Sequence, residues 1–403
     1  MIEKDLVNKQ SCLKAYQKVK KILKPTPLVF SERYSSLTKK EVYLKLDSKL
    51  STGSFKERGA LNFLLNLDAK QKKQGICAAS AGNHALALSY HTRKLGLSCN
   101  IVMPVHAPLV KVRACQEQGA NVLSMGETFT EAATIAKALC EEKGYIYAPA
   151  FDHTDVVNGQ ASCGLEILKQ LPDLDSVIVP VGGGGLISGI STVMKSFRKK
   201  AYILGVQSKW AYDAQRTKHS ATTALRSISI ADGIAIKRIG QITKPIIEKN
   251  VDNLISVSES NIAEGLIEFL QLEKSLIEGA AAAAIAGLHA GGLPKRCKKI
   301  VVVISGSNID TNLLLRLIER DMAEHEKVFR MRLSIPDRPG SLNALTTILA
   351  ENGVNILQVQ HDRSFSKVPG NVEVTLLLEF KDAKHKNALT KVVRKLGIKL
   401  SEI

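Results

Sequence analysis

The chain has 403 residues, 45% of them hydrophobic and only 5% aromatic; that length fits two or three domains, and that aliphatic content excludes a disordered chain. The formal net charge is +18, but the basic residues are spread over helix-like patterns (Lys18, Lys20, Lys21 and Lys24; Arg198, Lys199 and Lys200) without interleaved aromatics, so no nucleic-acid partner is expected. Seven cysteines, at 12, 77, 99, 115, 140, 163 and 297, form no Cys-x-x-Cys pair, which disfavours a disulfide framework or a zinc site and suits a reducing, cytoplasmic setting.

Met1 to Gln10 is polar and lacks the apolar core of a secretion signal. No stretch approaches the roughly 20 apolar residues that span a bilayer, so no membrane partner is expected. From about residue 15 to about 320, strand-like runs alternate with helix-like segments, within the usual boundary error of a few residues. The strands are predicted at Glu41 to Leu46, Ile76 to Ser80, Ser98 to Pro104, Asn121 to Leu123, Ser176 to Val181, Tyr202 to Gln207 and Lys299 to Ser305. Helices are predicted at Lys56 to Leu67, His84 to Leu95, Thr128 to Lys143, Gly159 to Lys169, Gly185 to Phe197 and Asn261 to Glu273. This alternation predicts an α/β fold with mostly parallel sheets covered by helices, with chemistry at the strand-to-helix turns. The charged stretch Arg320 to Lys327 reads as a linker. Beyond it, a strand at Val328 to Ile335, a turn at Pro336 to Gly340, a helix at Ser341 to Asn352 capped by Ser341, strands at Val354 to Ser364 and Val372 to Phe380, a helix at Asp382 to Leu396 and a strand at Ile398 to Ile403 follow. That order is the ferredoxin-like βαββαβ plan.

Four turns carry groups of chemical interest. In Ser51-Thr52-Gly53-Ser54-Phe55-Lys56-Glu57-Arg58-Gly59-Ala60 a lysine opens a helix. The helix dipole disfavours its charged form there, as desolvation would, and a Schiff base needs the neutral amine. Ser80-Ala81-Gly82-Asn83-His84 follows a strand, and its small residues leave backbone N–H groups free for a carboxylate. In the same turn Asn83 can donate to a hydroxyl oxygen, and His84 reads more readily as a structural cap than as a base. Gly182-Gly183-Gly184-Gly185-Leu186 lets an anion approach the backbone at a helix N-terminus, and a phosphate is the natural guest. Ser305-Gly306-Ser307-Asn308 follows the last strand; a hydroxyl at Ser305 facing a pyridine nitrogen is too weak an acid to protonate it.

Together these segments resemble the threonine dehydratase group of the fold-type II pyridoxal-phosphate enzymes, over roughly residues 15 to 320. Ile230-Ala231-Asp232-Gly233-Ile234-Ala235 and Glu278-Gly279-Ala280 resemble further segments of that family. The resemblance implies a catalytic domain over 1–325, with a smaller subdomain of about 50–150 inserted in a larger one. It implies pyridoxal 5′-phosphate held by Lys56, with Phe55, Asn83, Gly182, Gly183, Gly184, Gly185, Leu186, Glu278 and Ser305 around it. The substrate carboxylate would lie on Ser80, Ala81, Gly82, Asn83 and His84. The implied reaction is β-elimination of L-threonine to 2-oxobutanoate and ammonia, with serine giving pyruvate and Lys56 taking the α-proton. Three departures from the family bear on this. Ala85-Leu86-Ala87 replaces Ala-Gln-Gly after the Asn-His pair, and Gly159-Gln160-Ala161-Ser162 replaces Gly-Gln-Gly-Thr. Gln207 stands where metal-binding relatives have an acidic residue, with Ala211 and Asp213 following at matching spacing; no divalent metal is expected, and a potassium-like ion is left open.

Residues 328–403 resemble the ACT regulatory domains through Asp337-Arg338-Pro339-Gly340-Ser341-Leu342 and Gly353-Val354-Asn355-Ile356. That likeness implies an amino-acid effector near Gly340 and Asn355 and allosteric control; with the catalytic resemblance it implies a homodimer or homotetramer and a role in amino-acid metabolism, isoleucine biosynthesis or threonine catabolism being left open. The competing readings are an L-serine dehydratase, a serine racemase and a non-catalytic amino-acid sensor. Eukaryotic-type racemases resemble the chain but carry a serine where Ala81 stands, and the retained Lys56 opposes the sensor.

Overall fold

A computed structural model describes residues 7–211, 229–236, 238–362, 368–396 and 399–402. The chain forms two compact units, Met1–Ile309 and Asp310–Ile403.

The first unit contains two sheets. One has six strands: β1 (Leu28–Phe30), β2 (Glu41–Leu46), β7 (Ser176–Pro180), β8 (Tyr202–Ser208), β9 (Asn253–Val257) and β10 (Lys299–Ile304), in spatial order β1-β2-β10-β7-β8-β9. Only β1 runs antiparallel to its neighbour. The second sheet has four parallel strands, β3 (Ile76–Ala79), β4 (Cys99–Met103), β5 (Asn121–Ser124) and β6 (Ile146–Tyr147), ordered β5-β4-β3-β6. Strands β4, β7 and β10 are almost wholly buried, as near-continuous Val/Ile runs must be when helices cover both faces of a parallel sheet. Each sheet has its own core. Leu64, Ile76, Leu88, Ile101 and Met103 build the smaller one, and Ile178's neighbours Val177 and Val179 join Ile187, Ile190, Ile203, Val301 and Val303 in the larger.

Ten helices of this unit matter for position: α1 (Lys9–Val19), α2 (Glu32–Thr38), α3 (Lys56–Asn66), α4 (Ala69–Gln74), α5 (Asn83–Leu95), α6 (Leu109–Glu117), α7 (Phe129–Lys143), α8 (Thr154–Gln170), α9 (Gly185–Phe197) and α10 (Thr243–Asn250). Two more follow, α11 (Glu259–Glu273) and α12 (Gly279–His289). Helix α8 starts a full turn before the Gly159 expected from sequence, because His153 caps it and accepts from the Asp155 N–H at 3.1 Å. Helix α12 is buried from Gly279 to Leu288, its alanines allowing close approach to the large sheet.

The second unit is a four-stranded antiparallel sheet, β11 (Val328–Pro336), β12 (Asn355–Asp362), β13 (Asn371–Glu379) and β14 (Lys399–Glu402), ordered β12-β13-β11-β14. Strand β13 alternates buried and half-buried residues along its whole length, the period-2 signature of a sheet covered on one face. Its buried side, with Met331, Leu333 and Ile335 of β11, meets Leu345 and Leu349 of α14 (Ser341–Glu351) and Leu389 and Val393 of α15 (Ala383–Lys395). Two expectations need correction. Arg320 to Lys327 is not a linker: its first five residues end α13 (Thr311–Glu324), where Arg320 and Glu324 pair at 2.7 Å across one helical turn. A charge-rich segment reads as coil, but opposite charges four apart support an exposed helix. Ser341 is not the cap of α14; Gly340, with φ of +90°, takes that place, a left-handed conformation in which glycine carries no Cβ penalty.

Candidate active site

The two sheets of the first unit aim their strand ends at a common region, and backbone bonds stitch the turns there together. The Phe55 N–H donates to the Ser305 carbonyl at 2.9 Å, Ser307 N–H to Gly53 O at 2.9 Å and Glu278 N–H to Gly306 O at 3.0 Å. Lys56 therefore opens α3 directly beside the turn that follows β10. The close fit requires glycine at 306, since a Cβ there would lie 2.5 Å from Glu278 Oε1.

Lys56 Nζ donates to the Ala150 carbonyl at 2.9 Å and lies 5.2 Å from the centre of the Phe55 ring. Burial pushes its amine down to about 8, against an opposing pull from Glu278. Burial in turn pushes the Glu278 carboxyl up to about 7, opposed by a hydrogen bond from Asn83 Nδ2 at 2.7 Å and raised further by the charge of Asp232. Asp232 belongs to the short turn Asp232–Ile234, and Lys111 of α6 reaches it at 3.1 Å.

The glycine turn after β7 is packed tightly on its outer side. Added Cβ atoms would lie 2.4 Å from the Phe151 ring at Gly183 and 2.9 Å from Ile234 Cα at Gly182. Gly184 has φ of +94° and caps α9. Thr243 Oγ1 donates to the Gly183 carbonyl at 2.6 Å, and the Asp152 carboxylate accepts from the N–H groups of Gln241 and Ile242, which holds the flanking loop. The next residue to Ala150, the acceptor of Lys56, is Phe151, which walls the glycine turn; one irregular segment thus serves both.

In the turn after β3, Ser80 Oγ accepts from the N–H groups of Gly82 and Ala85, each at 3.3 Å, so its hydroxyl caps α5. His84 is buried, with Nε2 2.9 Å from the Ala148 carbonyl. That contact makes Nε2 the protonated nitrogen, and burial pushes the imidazole down to about 3, next to the Lys56 charge. His84 is a neutral donor to the Ala148 carbonyl rather than the helix cap its sequence context suggested. Ser54 Oγ and Ser305 Oγ are buried without a partner among the described residues, and buried hydroxyls are seldom left so.

The structure thus brings Phe55, Lys56, Asn83, Glu278 and Ser305 into one connected network, with Gly182 to Leu186 joined to it through Ala150 and Phe151. Gly340 and Asn355 lie in the other unit. Asp213, considered as a cation ligand, falls outside the described residues, and among the described residues no three His, Cys, Asp or Glu side chains gather as a metal site would need. Sequence reasoning missed Ala150, Phe151, Asp152 and Thr243, which act through backbone atoms or ring area that no motif records. It also missed a buried ionic cluster behind Lys56. Arg58 makes two bonds to Asp47, at 2.7 and 2.8 Å, and two to Glu166, at 2.7 and 2.8 Å, while Lys45 meets Glu166 at 2.7 Å.

A lysine held towards its neutral form, facing a glycine turn at a helix N-terminus across parallel strand ends, defines an enzyme that binds an aldehyde cofactor bearing a phosphate. Residues 19–306 match the family described as pyridoxal-phosphate dependent enzyme, and the chain belongs to it. Residues 330–397 match the ACT domain. The chain is similar to an L-threonine ammonia-lyase of Thermotoga maritima, 36% identical over 391 residues, covering 96% of this chain and 97% of that one. Among solved structures it is similar to a threonine deaminase isoform of Solanum lycopersicum, 31% identical with a TM-score of 0.71, over 77% of this chain and 92% of that one. It is also similar to a serine racemase of Dictyostelium discoideum, 32% identical with a TM-score of 0.69, over 76% of this chain and 99% of that one.

Proposed function

We propose that the protein is an L-threonine ammonia-lyase that also accepts L-serine, and that its ACT domain makes it responsive to an amino-acid effector. The observation that carries the reading is Lys56, half-buried beside Ala150 and held towards neutrality by desolvation against the pull of Glu278.

The residues present fit the cofactor. The tightly backed glycine turn, Gly182 to Leu186, would hold the phosphate with backbone N–H groups at the α9 N-terminus. The unpartnered Ser305 hydroxyl would meet the ring nitrogen, Asn83 would donate to the ring hydroxyl, Phe55 and Glu278 would flank the ring, and Lys56 would carry the covalent link. When bound, pyridoxal phosphate supplies the electron sink that weakens the α-C–H bond and allows the β-hydroxyl to leave. The protein's own groups do the rest. The turn Ser80 to His84 would hold the substrate carboxylate through N–H groups not already bonded as those of Ser80 (to the Val102 carbonyl, 3.2 Å) and Gly82 are, and Lys56 Nζ would take the α-proton. The products are 2-oxobutanoate and ammonia, or pyruvate and ammonia from serine. Racemisation would need a second acid/base opposite Lys56. By the family resemblance, racemases carry a serine at the position of Ala81, whose methyl group holds no exchangeable proton.

A cytoplasmic location fits the seven cysteines, of which all but Cys140 are buried thiols with no disulfide. No described helix is long and apolar enough to cross a membrane. A homodimer or homotetramer is the assembly this reading expects. In the ACT unit, the N-terminus of α14 after Gly340 offers N–H groups to an effector carboxylate, with Asn355 as a second contact. The same reading places the protein in amino-acid metabolism, in isoleucine biosynthesis where the product 2-oxobutanoate is built upon or in threonine catabolism where it is degraded.

The test is 2-oxo acid and ammonia release by purified, cofactor-loaded protein with L-threonine, L-serine and D-serine side by side. Turnover of L-threonine ahead of both serines supports the reading, a preference for L-serine makes it a serine dehydratase, and no turnover of any removes it. Deleting residues 328–403 is expected to erase the response to branched-chain amino acids while sparing catalysis; a retained response would move the effector site out of the ACT unit.

A further inference from the structure

Asn83 presents a side-chain amide whose two ends are almost the same shape and opposite in hydrogen-bond polarity. Which end faces a ligand is decided by the partners of that amide, here Asn308 and Glu278, the first of them fixed in turn by Thr52. Asn308 Nδ2 donates to Asn83 Oδ1 at 2.7 Å and to the Thr52 carbonyl at 2.7 Å. Asn83 Nδ2 donates to Glu278 Oε2 at 2.7 Å. The Thr52 carbonyl can only accept, so it commits Asn308 Nδ2 as donor; that commits Asn83 Oδ1 as acceptor and Asn83 Nδ2 as donor. In the reversed orientation, Asn83 Nδ2 would meet another amine and Asn83 Oδ1 a carboxylate oxygen, two repulsive contacts in place of two bonds. Asn308 itself has little room to move: a Cβ on Gly53 would lie 2.6 Å from Asn308 Oδ1, and Gly53, with φ of +72°, is a position that favours glycine. Asn308 also supplies a backbone N–H to Glu278.

We propose that Asn308 is a positioning residue that fixes the Asn83 amide with its donor end towards the cofactor and Glu278, tying the turn before Lys56 to the N-terminus of α5. The proposal rests on the cofactor reading above. With one Asn83 N–H given to Glu278, the other has no protein acceptor among the described residues and is left for a ligand. Asn308 touches neither substrate nor cofactor in this account; it acts through Asn83.

Replacing Asn308 by Asp and by Ala separates polarity from packing. Asp is nearly isosteric but offers only acceptors when ionised, so it forces the Asn83 amide to turn or leave. Ala removes the bond without reversing it, and Glu278 still holds Asn83. The expected result, read as the dissociation constant of added pyridoxal phosphate for the apoprotein at matched thermal stability, is at least about a tenfold weaker affinity for Asn308→Asp than for Asn308→Ala, a difference that corresponds to about 1.4 kcal/mol. Equal losses, or a larger loss for Asn308→Ala, would assign Asn308 a space-filling role and overturn the proposal. If Asn308→Asp does not fold, Glu278→Gln is compared with the double variant Glu278→Gln/Asn308→Asp, in which the two bonds of the Asn83 amide can be reversed together and only the contact with the Thr52 carbonyl is lost. The double variant is expected to fold and to bind the cofactor more weakly than Glu278→Gln alone; equal binding overturns the proposal. Failure of the wild-type apoprotein to bind pyridoxal phosphate would instead sink the underlying reading of the site.

Discussion

Lys56 and Arg58 stand two residues apart at the start of one helix, both drawn away from bulk water, and the protein treats them in opposite ways. Arg58 is fully buried but answered: Asp47 and Glu166 each meet it with two oxygens, Ser162 and Thr26 add hydroxyl contacts at 3.0 and 3.1 Å, and Lys45 balances the second carboxylate. Burial alone would raise the Asp47 carboxyl, but Arg58 and Lys45 hold it below its ordinary value. Lys56 has one carbonyl and a partly protonated glutamate, beside serine hydroxyls left unpartnered. A satisfied buried charge is a fixture, whereas an unsatisfied one is kept ready for chemistry.

The largest break in this comparison is Lys56→Ala. The variant is expected to lose the absorption of protein-bound cofactor and all ammonia release, while the Arg58 cluster stays intact; turnover in the variant would remove Lys56 from its role. The same variant tests how the site is kept unsatisfied. Because the folded-state value of Lys56 lies near 8, below that of a free lysine at 10.5, the unfolded chain binds the extra proton between those values and the apoprotein gains stability as pH rises through them. Lys56→Ala should lose that rise, which thermal unfolding of the two apoproteins between pH 7 and pH 10 would register.

Arg58→Met attacks the other side of the comparison. It leaves Asp47 and Glu166 buried with only Lys45 to oppose them, a loss of one partner that typically costs about 3–5 kcal/mol. The expected outcome is a lower urea midpoint at unchanged slope, with cofactor affinity falling because α3 no longer seats Lys56. A midpoint equal to wild type would show that the cluster contributes specificity of geometry and little net stability.

What was legible in the sequence divides along the same line. Groups meant for a ligand sit in short turns of unusual composition, so Lys56, Asn83, the four glycines and Ser305 stood out after their strands. The buried cluster did not, because Lys45, Asp47, Arg58 and Glu166 are charged residues, normally read as surface, and Glu166 is 121 positions from its partner Lys45. Strands β1 and β6 escaped because they have three and two residues, too few for a pattern, and β9 because its half-exposed residues blur the alternation. Ala150 escaped because its contribution is a carbonyl that every residue has. In the second unit the succession of strands and helices was readable from the pattern, but the charged end of α13 was not, since its stabilising pair becomes visible only once the segment is taken as a helix.

The smallest expected effect concerns the tuning of Lys56. The groups facing it are Glu278, which opposes the downward push of burial, and His84, which is neutral; Asp232 acts on Glu278 and is itself met by Lys111. Only the neutral amine can capture the cofactor aldehyde, so the capture rate of the apoprotein is expected to rise with pH through about 8 and then level off. Glu278→Gln removes the one charge among the described residues that favours protonated Lys56. Its capture profile should therefore move to lower pH, by less than the shift that burial produces, because the pull of Glu278 on Lys56 is smaller than the push of burial. Stopped-flow absorbance with added pyridoxal phosphate from pH 6 to pH 10 would read the midpoint directly. A shift to higher pH would mean that Glu278 acts on Lys56 chiefly through Asn83 and the shape of the site, and the contrast between a balanced Arg58 and a charge-tuned Lys56 would have to be redrawn around hydrogen-bond geometry.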